Sequence, residues 1–193
     1  MALTSKESKD LILKVNYFGP SLGGKTTNLQ WLYQLTSQDQ MTNKVVVDAN
    51  PERTQLYELV PMEIGNILGY RTRVHVYSPP GQTALAKYRK VALKNVDGIV
   101  FVADSQIERL EENIESMREL VNMLEDQGKD ISEVPLVIQY NKRDLPNAAA
   151  LSDLRAALNH YNAPEVEGCA ADGKGVLESV KLVSKKILSF FKT

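Results

Sequence analysis

The chain has 193 residues, long enough for about 70% of its unfolded surface to be buried around one core. Its 23 basic and 24 acidic side chains leave a net charge of −1, which argues against a nucleic-acid binder resting on many phosphate contacts. The single cysteine, Cys169, excludes an internal disulfide and a cysteine zinc site, and the two histidines, His75 and His160, argue against a His-rich metal site. Met1 to Lys14 is too polar for a signal peptide, no apolar run reaches a membrane-spanning length, and Phe190-Phe191-Lys192-Thr193 carries no prenylation cysteine. The expectation is a soluble, cytoplasmic, single-domain protein over residues 1–193, monomeric on its own and without a lipid anchor, with residues 1–10 as a polar lead-in.

In chain order, Leu11 to Phe18 reads as an apolar strand ended by Gly19-Pro20. Lys25 to Leu35 has the helical spacing of Leu29, Leu32 and Leu35. Lys44 to Asp48 and Tyr70 to Tyr77 read as strands, the second with Val74 and Val76 alternating with Arg73 and His75. The stretch between them, with Pro51, Pro61, Gly65 and Gly69, reads as loop and turn. Asp97 to Ala103 is a continuous apolar run, the pattern of a central parallel strand. Ser105 with Glu108 three residues on predicts a capping box and a helix with the stripe Ile107, Leu110, Ile114, Met117, Val121 and Leu124, ending near Gly128. Leu136 to Tyr140 predicts a buried strand, Ser152 to His160 a short helix, Val166 to Ala170 a strand, and Val176 to Ile187 a last helix. This alternation predicts an α/β fold: a mostly parallel sheet with helices on both faces.

Gly19-Pro20-Ser21-Leu22-Gly23-Gly24-Lys25-Thr26 matches G-x-x-x-x-G-K-[ST] between a predicted strand and a predicted helix. In such a loop, successive N–H groups and the helix N-terminus face phosphate oxygens. The phosphate-binding candidates are therefore Gly19, Ser21, Leu22, Gly23, Gly24, Lys25, Thr26 and Thr27. Lys25 would reach the β- and γ-phosphates, and the Thr26 hydroxyl would ligate Mg²⁺. The loop alone does not distinguish ATP from GTP. Asn141-Lys142-Arg143-Asp144 follows a predicted parallel strand, at the end where such sheets bind ligands. The acceptor-only carboxylate of Asp144 suits the two donors on one edge of guanine and is repelled by the ring acceptor of adenine. The Lys142 stem can pack over the base, and Asn141 would tie the loop to its neighbours. In Cys169-Ala170-Ala171, the Ala170 N–H can donate to guanine O6, while Cys169 reads as a small core residue.

With these three loops in order, the chain resembles the small Ras-like GTPases, and among them the bacterial MglA polarity GTPases. The resemblance spans about residues 10 to 190. It is carried by Gly24 to Leu29, Arg53-Thr54, Pro80-Gly81-Gln82, Val96 to Ser105 and Val137 to Pro146. It implies a P-loop, Ras-like G domain switching between GTP and GDP with Mg²⁺. Thr54 then matches the switch threonine at Mg²⁺ and the γ-phosphate. Arg53 matches an intrinsic arginine finger, Gly81 a glycine whose N–H senses the γ-phosphate, and Gln82 the glutamine that positions the attacking water. The implied catalytic set is Arg53, Gln82 and Lys25. The resemblance also implies a homodimeric roadblock-fold activator of MglB type, GTP-state effectors, and a role in polarity at a cell pole.

Two departures matter. Ser78 stands where most Ras-like proteins have aspartate, which MglA-type proteins also lack. Ser21 stands where glycine is usual, beside the γ-phosphate and the glutamine, and leads us to expect slowed hydrolysis. The alternative to a hydrolysing switch is thus a GTP-holding scaffold. Charge adds a last expectation. Arg71 to Lys94 has six basic and no acidic residues, and Gln106 to Glu133 has nine acidic and three basic ones. The basic segment predicts an effector with an acidic contact patch.

Overall fold

The computed structural model describes residues 3–5, 10–37, 58–67, 70–78 and 86–190. The expected strand at Lys44 to Asp48 lies outside them. Strands β1 (Leu3–Ser5), β2 (Asp10–Phe18), β3 (Glu58–Ile67) and β4 (Tyr70–Ser78), with helix α1 (Lys25–Ser37), form the first half. Helix α2 (Ala86–Ala92), β5 (Gly98–Asp104), α3 (Leu110–Glu125), β6 (Leu136–Asn141), α4 (Leu151–Leu158), β7 (Glu165–Glu167) and α5 (Val176–Ser189) complete it. The sheet order is β3-β4-β2-β5-β6-β7. The β2, β4, β5, β6 and β7 pairings are parallel, and β3 pairs antiparallel with β4 at the edge. Among the described residues, no helix is long and apolar enough to cross a membrane.

Both faces of the sheet are covered, as the run of fully buried residues in β5 requires. One layer packs Leu29 and Leu32 of α1 and Val176, Val180, Val183 and Ile187 of α5 on Leu13, Val15, Val74, Val100 and Val137. The other packs Met117, Leu120 and Leu124 of α3 and Leu154 and Leu158 of α4 on Phe18, Ile99, Phe101, Leu136 and Ile138. Each fully buried side chain of this size contributes roughly 1.5–3 kcal/mol over its exposed state.

Three local expectations are corrected. The stretch read as loop around Pro61 and Gly65 is strand β3. Among the described residues β3 is the edge strand, a position that tolerates proline, and Gly65 lies at a register shift of the β3–β4 ladder. Within the polar lead-in, Leu3–Ser5 pair antiparallel with Asp10, Leu11 and Ile12. The capping box does not form: residues 107–109 make a 3-10 turn before α3, and the Ser105 hydroxyl is buried without a partner. Asp104 supplies the acceptor instead, taking the Gln106 N–H at 3.2 Å. The face that α3 buries also includes Asn113 and Ser116. Asn113 is inside because it closes off β5: its Oδ1 accepts the Asp104 N–H at 2.8 Å and its Nδ2 donates to the Asp104 carbonyl at 2.7 Å.

Candidate nucleotide site

Parallel pairing brings the carboxyl ends of β2, β5 and β6 to one edge of the sheet, where ligands bind in such folds. The loop from Gly19 to Gly24 leaves β2 and enters α1 at Lys25. Leu22 takes a left-handed φ of 63° and Gly24 a φ of 101°. Such reversals turn successive N–H groups to one side and create an anion-binding hollow. A left-handed leucine costs about 1 kcal/mol, and this one leaves its side chain 84% exposed. Lys25 is buried, and its ammonium donates to the carbonyls of Gly19 at 2.8 Å and Pro20 at 2.6 Å. Thr26 stands exposed and Thr27 half-buried in the first turn of α1, where the helix N-terminus favours negative charge.

Buried amides fix the loop from behind. Asn141 Nδ2 donates to the Gly23 carbonyl at 2.8 Å, and Asn28 Nδ2 to the Gly24 carbonyl at 2.9 Å. Asn28 is held in turn by Gln139 Nε2 at 3.0 Å. Gly24 is needed where it is: a Cβ there would lie 2.1 Å from Asn141 Nδ2. On the outer side, Arg109 Nη2 donates to the Ser21 carbonyl at 3.0 Å.

Asn141, at the end of β6, also accepts the Ala170 N–H at 2.9 Å. One carboxamide therefore joins the phosphate loop, the Asn141–Asp144 loop and the Ala170 loop. The Ala170 N–H already has an acceptor, so guanine O6 would be its second. Lys142 adopts φ 63°, and its ammonium meets Asp104 Oδ2 at 2.6 Å. The Asp104 side chain is fully buried, so this ion pair is shielded from water on one side. Arg143 turns away, donating from its N–H to the Gly168 carbonyl at 3.0 Å and from Nη1 to the Ala149 carbonyl at 2.6 Å. That leaves Asp144 exposed at the rim. Cys169 is buried, with its thiol 3.4 Å from Asp172 Oδ2. Burial, and then the Asp144 carboxylate, push its pKa up, which fits a neutral core thiol. The Trp31 indole packs against the same loop, where a Cβ at Gly173 would come within 1.8 Å of it.

Gly19, Ser21, Leu22, Gly23, Gly24, Lys25, Thr26, Thr27, Asn141, Lys142, Asp144 and Ala170 thus gather at one sheet edge. Arg53, Thr54, Pro80, Gly81 and Gln82 lie outside the described residues; Ser78 is the buried last residue of β4. Sequence reasoning assigned no role to Asp104, Asn28, Gln139 or Arg109. The signal for Asp104 was available: an acid closing a continuous apolar run has no reason to be there unless a cation meets it.

A family model of the ADP-ribosylation factor family matches residues 2–187. The mutual gliding-motility protein MglA of Myxococcus xanthus is 44% identical over 192 residues, covering the whole of this chain and 98% of that protein. ADP-ribosylation factor-like protein 4A of Homo sapiens is 31% identical over 141 residues, 72% of this chain and 62% of that protein. A phosphate loop tied by one asparagine to a guanine-type reading loop, on this sheet and with these relatives, places the chain in the ADP-ribosylation factor family, as an MglA-type small Ras-like GTPase and GTP-binding switch.

Proposed function

We propose that the chain binds GTP with Mg²⁺, hydrolyses it slowly, and recruits effectors in the GTP state to set polarity or motility at a cell pole. The observation that carries the reading is Asn141, which unites the phosphate loop with both base-side loops. The hollow fits a polyphosphate: its donors are backbone N–H groups turned by the left-handed Leu22 and Gly24, with the Lys25 ammonium beside them. Lys25 would hold the β- and γ-phosphates, and Asp144 would read the base. Mg²⁺ would be held by Thr26 and Thr54 and supply charge neutralisation on the phosphates. Arg53 would stabilise charge developing on the γ-phosphate, Gln82 would orient the attacking water, and Gly81 would sense the γ-phosphate.

The test is base exchange. Asp144→Asn should lose guanine nucleotides by at least tenfold and gain xanthine nucleotides, because the carboxamide offers a donor where guanine has one. Competition binding against a fluorescent GDP reads this, and unchanged GTP affinity would refute the assignment.

Ser21 in the phosphate loop favours a second reading, a GTP-holding scaffold with little hydrolysis. Single-turnover hydrolysis with and without an MglB-type roadblock homodimer separates the two, since only the switch accelerates. The cytoplasm is the natural compartment for either. An acidic effector patch would meet the basic segment apart from Arg71, Arg89 and Lys90, which already face Glu63, Glu119 and Asp126.

A further inference from the structure

We propose that Arg109 is a positioning residue of the phosphate loop, lying within ion-pair range of the same carboxylate that holds Lys142. The inference rests on the nucleotide-site reading above and adds a residue to it. The Arg109 guanidinium spans three groups. Its Nη2 donates to the Ser21 carbonyl at 3.0 Å, its Nη1 to Glu112 Oε1 at 2.6 Å, and its Nε lies 3.9 Å from Asp104 Oδ2. Asp104 Oδ2 also accepts the Lys142 ammonium at 2.6 Å. A continuous chain of charged contacts therefore runs from the base-side loop, through a buried carboxylate, to the tip of the phosphate loop.

The geometry says what this contact does. A trans peptide is planar, and its C=O and N–H point in opposite directions. With the Ser21 carbonyl drawn outward to Arg109, the Leu22 N–H points to the opposite side. The left-handed Leu22 is the conformation that follows this peptide orientation. Without the guanidinium, the Ser21–Leu22 peptide is freer to rotate and the left-handed leucine loses a restraint. A planar fork suits the task, because one cation addresses the Ser21 carbonyl and Asp104 from different nitrogens. A lysine has one point of charge to share between them.

The test uses the full chain with three substitutions: Arg109→Ala, Arg109→Lys and Glu112→Ala. GDP, GTP and GMP affinities are measured by competition against fluorescent GDP, and unfolding by temperature. If Arg109 sets the Leu22 N–H, Arg109→Ala weakens GDP and GTP about tenfold and leaves GMP within twofold. Arg109→Lys recovers part of the loss, and Glu112→Ala changes none of the three by more than twofold. An equal loss for GMP, or GDP binding within twofold of wild type in Arg109→Ala, overturns the proposal. Should Arg109→Ala unfold, Arg109→Lys alone decides: an intermediate GDP loss with unchanged GMP supports it, and wild-type GDP affinity overturns it. A wild-type chain that binds no guanine nucleotide overturns the site reading itself, a result distinct from any of these.

Discussion

Gly24 shows how one missing side chain serves the site. Its carbonyl accepts from Asn28, and the space where its Cβ would sit is taken by the carboxamide that crosses to Gly23. Gly24→Ala forces Asn141 to move and leaves its buried amide without its acceptor, at roughly 1–3 kcal/mol. GDP affinity should fall at least tenfold while the melting temperature falls by only a few degrees; calorimetry of binding and unfolding checks both. The motif made this glycine legible, but not the reason for it. The pattern G-x-x-x-x-G-K-[ST] speaks of phosphate, whereas the constraint comes from Asn141, far along the chain. Asp104 makes the same point from the other side. Its burial was readable from the strand, yet its partners Lys142 and Arg109 come from a loop and a turn on either side of α3 that only folding brings together.

At the scale of elements, the strands and helices were legible wherever apolar period and length agreed, as in β2, β5, β6 and α5. β3 was not, because proline and glycine usually punctuate loops, and only an edge position with a bulge admits them. α4 and β7 are joined by charge. Glu165 accepts from Arg155 Nε at 2.8 Å and Nη2 at 2.6 Å, from Asn159 Nδ2 at 2.7 Å and from the Tyr140 hydroxyl at 3.0 Å. The Arg155 guanidinium above all holds the Glu165 carboxyl below the usual carboxylate range. A depressed folded pKa stabilises the fold fully above the unfolded value of about 4.3 and is lost as pH falls through the folded one. Glu165→Gln should therefore lower stability at neutral pH and shrink that deficit below about pH 4. Urea unfolding at pH 7 and pH 3 reads the difference, and an equal deficit at both would remove the ionic account.

Taken whole, the molecule reconciles its own charge segregation. The basic segment, read as suited to an acidic partner, meets the acidic segment of the same chain through two residues of α2. Arg89 reaches Glu119 at 2.6 Å and Lys90 reaches Asp126 at 2.7 Å. The two pairs differ in weight. Lys90 and Asp126 are about half exposed, worth well under 1 kcal/mol. Arg89 is 4% exposed, with its guanidinium 5.9 Å from the Phe18 ring. Burial pushes the Glu119 carboxyl up, although Arg89 and Lys25 both pull it down. Glu119→Ala leaves a cation in the interior and should cost about 2–3 kcal/mol, against less than 0.5 kcal/mol for Asp126→Ala; urea unfolding of both variants measures the contrast. Composition could not reveal this, because a segment's charge does not say which way it faces.

Trp31 is the one tryptophan of the chain, and its ring rests on the loop whose Ala170 N–H is bound to Asn141. That makes the protein its own optical gauge. Any rearrangement of the base-side loop alters the packing and polarity around a single indole, which can be excited at the red edge apart from the eight tyrosines. Filling the site should change the intrinsic emission in one phase, and exchange of GDP for GTP can then be timed on unlabelled nucleotide. Trp31→Phe should silence the change while leaving binding within about twofold, so the same fluorophore also tells whether the Ala170 loop moves when the base arrives.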